Sequence, residues 1–298
     1  MGYAPPPDPG FDGTTAVDIT TADGTRLVAE LREPLGAARG TVILAPAMMA
    51  SARTLARGLA PFLVARSHRV VLFDFRGHGG SGTPAAKGGD WSYDALVRED
   101  LAAVSAATRA RFEGPLSLVG HSLGGHVAIA AAGLGLAPLD AIVLLAANVW
   151  LPRFEPSLRM RAAKRAILEG CAATARRVGY LPVRRLGLGS DDESRSYFAA
   201  FLRYWQDDRW TSDDGRDDYS AAAARVKVPV LAIASEGDRL ACAPPAAERF
   251  AALVGSRDRT FEVLRGADAP GHMALVTKST SAPAWERLAR WLEGRLRE

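Results

Sequence analysis

The pentapeptide Gly120-His121-Ser122-Leu123-Gly124 constrains this chain more than any other feature. It lies between an apolar run, Pro115 to Val119, and a stretch of small residues, Gly125 to Ala132, which together read as strand, sharp turn and helix. Gly-x-Ser-x-Gly in that setting is a nucleophile elbow: the serine occupies a strained turn, and the flanking glycines are needed because a Cβ there would strike neighbouring backbone. Five residues alone are weak, since a chain this rich in glycine yields the pattern by chance in about one case in six or seven. The strand before it and the helix after it add the rest. The turn also sets Ser122 at a helix N-terminus, where free N–H groups favour developing negative charge.

Composition bounds the remainder. With 298 residues, 48% hydrophobic and 23% charged, the chain can bury a full core as one large domain. The net charge of +4 comes from scattered arginines, with no basic run interleaved with aromatics, so a nucleic-acid partner is not expected. Residues 1 to 10 have neither a basic nor an apolar leader segment, and Gly2 lacks the downstream Ser or Thr of a myristoylation site. The longest apolar tract, Val127 to Leu151, is broken by Pro138 and Asp140 and divides into a helix and a strand rather than a membrane span. These readings predict a cytoplasmic protein. Cys171 and Cys242 are too few for a disulfide framework and lack metal-ligand spacing, so neither a metal nor another cofactor is expected.

Residues 1–15 form a Pro/Gly-rich tail. A hairpin over Ala16 to Thr20 and Thr25 to Leu31 precedes strands at Thr41 to Ala45, Arg69 to Phe73, Leu116 to Val119, Ala141 to Ala146, Val230 to Ala234 and Thr260 to Leu264. Helices are predicted near Arg53 to Ala65, Tyr93 to Arg111, Gly124 to Ala132, Ala246 to Leu253 and Ala282 to Arg297. Alternating β and α with continuously apolar strands predicts an α/β fold: a mostly parallel, doubly wound sheet, covered on both faces and binding its ligand beyond the carboxyl ends of the strands. The core spans 16–149 and 225–298. Between them, 150–224 shows no convincing strand and reads as a helical cap. One cap helix carries Met160, Ala163, Ile167, Cys171, Ala175 and Val178 on one stripe and opens at Pro156, and another carries Tyr197, Phe201 and Trp205 with Phe198 and Leu202 alongside. The acidic stretch from Gln206 to Asp218 lacks calcium-loop spacing and reads as a solvated connection.

A serine hydroxyl needs a base, and the base needs a carboxylate to fix its tautomer. Of the five histidines, only His272 follows the last strand, where the order Ser, acid, His requires it. The loop after Val230 to Ala234 offers Asp238 as the acid, with Glu236 second; the preceding strand's loop has Asn148 and no carboxylate. The oxyanion hole is expected from the backbone N–H of Leu123 and one from Pro46-Ala-Met-Met-Ala50, assigned to Met48 with Ala47 competing. Met49, His121, Trp150, Phe154, Phe201 and Trp205 are candidate walls of the substrate pocket.

With Ser122, Asp238 and His272 in that order, the chain resembles the α/β-hydrolase superfamily over about residues 16 to 295. Asp74-Phe-Arg-Gly-His-Gly-Gly-Ser81 is similar to the strand-end loop many members carry before the elbow, and there Asp74 and Arg76 read as structural. Where many members show His-Gly in the early loop, this chain has Ala45-Pro-Ala-Met48, like a poorly characterised bacterial group of hydrolases. The expected activity is serine hydrolysis of a carboxylic ester or thioester with a small to medium acyl group, through an acyl-enzyme. The partner is then a small-molecule acyl substrate. Acyl transfer by the same triad and non-catalytic ligand binding are the alternatives.

Overall fold

The computed structural model describes residues 14–295, so the proline-rich stretch before residue 14 lies outside the described residues. Its strands are β1 (Thr14–Thr20), β2 (Arg26–Arg32), β3 (Thr41–Ala45), β4 (Arg69–Phe73), β5 (Leu116–His121), β6 (Ala141–Leu145), β7 (Tyr180–Leu181), β8 (Glu193–Ser194), β9 (Val230–Ser235) and β10 (Arg259–Leu264). Eight of them form one sheet in the order β1-β2-β4-β3-β5-β6-β9-β10. The β1–β2 and β2–β4 pairs are antiparallel and every other pair is parallel. β1 begins at Thr14, two residues inside the stretch expected as a tail.

Each parallel strand is apolar throughout because both of its faces are covered. Val42 and Leu44 of β3 join one core layer with Leu59, Leu63, Trp285 and Leu288, while Ile43 and Ala45 join the other with Leu101, Val127 and Phe201. The expected single helix from Arg53 to Ala65 is two, Arg53–Ala56 and Leu59–Ala65. The break falls at Gly58, where a Cβ would sit 2.7 Å from the Val276 carbonyl oxygen and 2.9 Å from Trp285, so the close crossing of the C-terminal helix Ala282–Arg295 decides it. Between Tyr93 and Arg111 one π-helical segment, Leu96–Asp100, interrupts the α-helix. It brings the buried Asp100 to Arg76, Nε to Oδ1 at 2.7 Å, and Arg76 also pairs with Asp23 at 2.6 Å. Arg76 therefore ties the loop after β4 to two neighbours.

Between β6 and β9 the chain leaves the sheet. Helices Leu158–Val178 and Arg195–Asp207 are both present, but β7 and β8 pair antiparallel between them, so this region is not free of strand. Ser157 rather than Pro156 opens the first helix, its hydroxyl accepting from the Met160 amide. That helix buries Lys164, Leu168, Ala172 and Ala175, a face turned from the expected stripe; only Ala175 belongs to both. Lys164 is compensated by Glu155 at 2.9 Å. The acidic stretch closes locally: Arg203 pairs with Asp213, and Asp218 caps the helix Tyr219–Ala223. Among the described residues no cluster of His, Cys, Asp and Glu could hold a metal, and no helix is long and apolar enough to cross a membrane.

Candidate active site

The chain passes from β3 out to β4 and back across β3 to β5, so the carboxyl ends of β3 and β5 lie side by side, with Ala45 opposite Gly120. Such a reversal opens a crevice above the sheet. Ser122 stands there at φ 52° and ψ −112°, a conformation that costs a non-glycine residue about 1–3 kcal/mol. A Cβ on Gly120 would lie 2.4 Å from the Gly125 nitrogen, and one on Gly124 2.4 Å from the Ala45 oxygen, so neither position admits a side chain. Two amides lock the turn: Ser122 donates to the Leu145 oxygen at 2.9 Å and Gly124 to the Pro46 oxygen at 3.0 Å. The helix Leu123–Gly133 starts immediately, leaving the Leu123 amide without an intrahelical acceptor.

The loops after β9 and β10 supply the other two groups. His272 Nδ1 lies 2.5 Å from Asp238 Oδ2; Asp238 is 3% exposed, and its Oδ1 accepts from the Ala241 amide at 3.1 Å. Backbone packing joins the two loops, because a Cβ on Gly237 would lie 2.1 Å from the Ala269 oxygen and Ser235 Oγ donates to the Pro270 oxygen at 2.6 Å. Glu236, the second candidate acid, points outward and pairs with Arg265 at 2.7 Å. With Nδ1 committed to Asp238, Nε2 is the nitrogen His272 has left to offer.

Ser122 and His272 line the same cavity, of about 830 Å³, with Met48, Met49, Trp150 and Phe201 from the expected set and His126, Asn148, Phe198, Ile167 and Cys171 beyond it. Trp150 is braced by Nε1 donating to the Ala241 oxygen at 2.8 Å. Ile167 and Cys171 explain the shifted stripe of helix Leu158–Val178: they wall the cavity, while Leu168 between them is buried in the core and reaches the cavity as well. Three expected wall residues lie elsewhere. His121 is fully buried behind the elbow, its Nε2 donating to the His272 backbone oxygen at 3.1 Å, because β-strand alternation turns it away from the crevice. Phe154 packs on Phe250, ring centroids 6.5 Å apart, and Trp205 is a core residue at 6% exposure. Burial, and then the neighbouring His272, push the His121 pKa well below its ordinary value, so the ring is neutral and acts as a strut for the histidine loop.

His126, one helical turn after Ser122, is a cavity residue the sequence reading missed. Its Nδ1 meets the Tyr93 hydroxyl at 2.9 Å, and burial drops its pKa to about 3, so it too is neutral. Among the described residues the cavity lining contains no Asp, Glu, Lys or Arg.

The loop after β3 carries the remaining polar backbone. Met49 donates to Glu193 Oε1 at 2.6 Å and Ala52 to Asp74 Oδ1 at 2.7 Å, whereas the amides of Ala47 and Met48 take no acceptor among the described residues. Asp74, as expected, is structural. Glu193 also meets His78 Nε2 at 3.1 Å, and neither residue was singled out from the sequence, where Glu193 closes an ordinary-looking acidic run. Burial works against charge on His78, but the Glu193 charge and hydrogen bond, with the Arg76 carbonyl, raise its pKa to about 9.

The comparisons with known proteins agree with this fold. An esterase of Thermogutta terrifontis solved with malate bound is 19% identical, with TM-score 0.64 over 95% of this chain and 100% of that one. A Pyrococcus furiosus esterase is 19% identical, with TM-score 0.66 over 100% and 96%, and an Exiguobacterium antarcticum esterase 17% identical, with TM-score 0.64 over 94% and 100%. A search of curated sequences found no match. Residues 36–205, more than half of the chain, match the family Hydrolase_4, described as serine aminopeptidase, S33. A mostly parallel sheet reversing at β3, a strained Gly-x-Ser-x-Gly turn at that reversal and this family match make the chain a serine hydrolase of the α/β-hydrolase fold, belonging to the S33 family.

Proposed function

We propose that the protein hydrolyses carboxylic esters or thioesters of neutral, small to medium acyl groups through an acyl-enzyme. One observation carries this reading: the His272–Asp238 contact of 2.5 Å opens on the same uncharged cavity as the strained Ser122. Ser122 Oγ attacks the acyl carbon as His272 Nε2 takes its proton. Asp238 holds the ring by Nδ1 and balances the imidazolium. The amides of Leu123 and Met48 receive the oxyanion, the first aided by the helix dipole. His272 then protonates the leaving alcohol or thiol, and water, activated by the same nitrogen, releases the acid.

The cavity's chemistry supports an ester over an N-terminal peptide, although the family takes its description from an aminopeptidase. A buried free α-ammonium is best matched by a carboxylate, and among the described residues the lining holds none; Met48, Trp150, Phe198 and Phe201 offer apolar surface instead. Labelling by a fluorophosphonate probe, lost in Ser122→Ala, together with turnover of p-nitrophenyl esters of graded chain length but not of amino-acid p-nitroanilides, tests the reading. An unlabelled parent that hydrolyses no ester would refute it.

A further inference from the structure

We infer that Glu193 is a positioning residue for the oxyanion hole: from the insert between β6 and β9, it clamps the turn that presents the Met48 amide to the cavity. This rests on the ester-hydrolase reading above.

Met49, the residue after the proposed donor, has φ 60°, a left-handed conformation that a methionine does not keep without outside restraint. Its restraints come from the insert. The Met49 amide donates to Glu193 Oε1 at 2.6 Å, and its carbonyl accepts from the Ser190 amide at 2.8 Å and the Asp191 amide at 3.4 Å. The packing leaves no slack, since a Cβ on Gly189 would lie 2.2 Å from the Met49 oxygen. Both backbone groups of the turn residue thus end on one short piece of chain about 140 residues away, the Met49–Glu193 bond spanning 144.

Glu193 is itself held. It is fully buried, and its Oε1 also receives His78 Nε2 at 3.1 Å, while His78 Nδ1 donates to the Arg76 oxygen at 3.0 Å. Both ring nitrogens donate, so the ring is a cation beside the buried carboxylate. The Glu193 Oε2 atom is buried with no partner among the described residues, leaving Oε1 as the working oxygen. Arg76 is fixed by Asp100 and Asp23, so the chain of contacts runs from the sheet's own scaffold, through the loop after β4, to the insert and back to the loop after β3. A carboxylate used only to join the insert to the core would not need to share its single bonded oxygen with the amide next to the proposed oxyanion donor.

Two conservative variants separate positioning from simple structural support. Glu193→Gln keeps an acceptor at the right reach but loses the charge; Glu193→Asp keeps the charge and loses about one bond length of reach. In the full chain, Glu193→Asp is expected to lower kcat for the best p-nitrophenyl ester about 10-fold or more, with KM changed less than about 3-fold, and to weaken a trifluoromethyl ketone of the same acyl chain by a similar factor. Glu193→Gln is expected to stay within about 3-fold of the parent on both measures. Backbone amide exchange in residues 46–52 should quicken in Glu193→Asp and not in Glu193→Gln. The opposite ranking, a loss carried by KM alone, or unchanged exchange in that segment in both variants would overturn the inference. An inactive parent would instead refute the ester reading, while the exchange measurement would still decide the clamp.

Discussion

Two histidine–carboxylate pairs lie among the described residues, and they differ in what is left over. In His272–Asp238 the carboxylate is 3% exposed, the imidazole side chain is 20% exposed, and one ring nitrogen remains free to face the cavity. In His78–Glu193 the side chains are 2% and 0% exposed and both ring nitrogens are committed, one to Glu193 and one to the Arg76 carbonyl. A free nitrogen makes a base that can exchange a proton with substrate; full commitment makes a fixed charge that can only hold something in place. In the proposed mechanism the same two residue types therefore yield a reactive pair at the strand ends, and beneath the loop a rivet with no nitrogen to spare.

The largest effects should come from breaking the reactive pair. Ser122→Ala is expected to reduce ester turnover to background, and Asp238→Asn to lower kcat about 10⁴-fold, with circular dichroism and melting temperature close to the parent. Replacement of Gly124 by Ala tests whether that pair's partner serine is held by backbone alone. The added Cβ, 2.4 Å from the Ala45 oxygen, is expected to destabilise the fold by about 3 kcal/mol or more in denaturant titration. The rivet should show itself in pH dependence. The His78 pKa is raised from 6.5 to about 9 on folding, so its stabilisation is complete below pH 6.5 and disappears as pH rises through about 9. The parent is thus expected to lose on the order of 3 kcal/mol across that window, and His78→Gln to start lower and titrate more flatly. The smallest effect belongs to His126, which is neutral and belongs to neither pair: His126→Leu should leave the pH–rate profile in place and change kcat for aliphatic esters less than about 3-fold.

What the sequence made legible was whatever local geometry forces. Gly120 and Gly124 are dictated by contacts within a few residues or with the neighbouring strand, and the loops carrying Ser122, Asp238 and His272 leave the same edge of the sheet, with His272 and Asp238 in contact. Most core strands lie within a residue or two of their expected ends because their apolar runs are continuous. Features set by distant contacts were not legible. The β7–β8 ribbon pairs only Tyr180 with Ser194 and Leu181 with Glu193, too short for any period to register. On helix Leu158–Val178 an apolar stripe cannot say whether it faces core or cavity, and both faces are used. His121, Phe154 and Trp205 are aromatic or polar in the way pocket walls are, yet the first props a loop and the other two fill core. The His78–Glu193 pair joins residues 115 apart with nothing in either neighbourhood to announce it.

β6 and β9 are hydrogen-bonded neighbours, Ile142 opposite Val230 and Leu145 opposite Ile233, although the whole insert separates them in sequence. For the sheet, the insert is one long excursion that starts and finishes at adjacent points, the kind of segment evolution can lengthen, shorten or trade between relatives without disturbing strand register. Here the trade has a hidden condition. If Glu193 clamps the turn as inferred, an insert borrowed from another member would have to supply an acceptor at the same place as well as repack on the sheet, so a chimera that folds could still be slow.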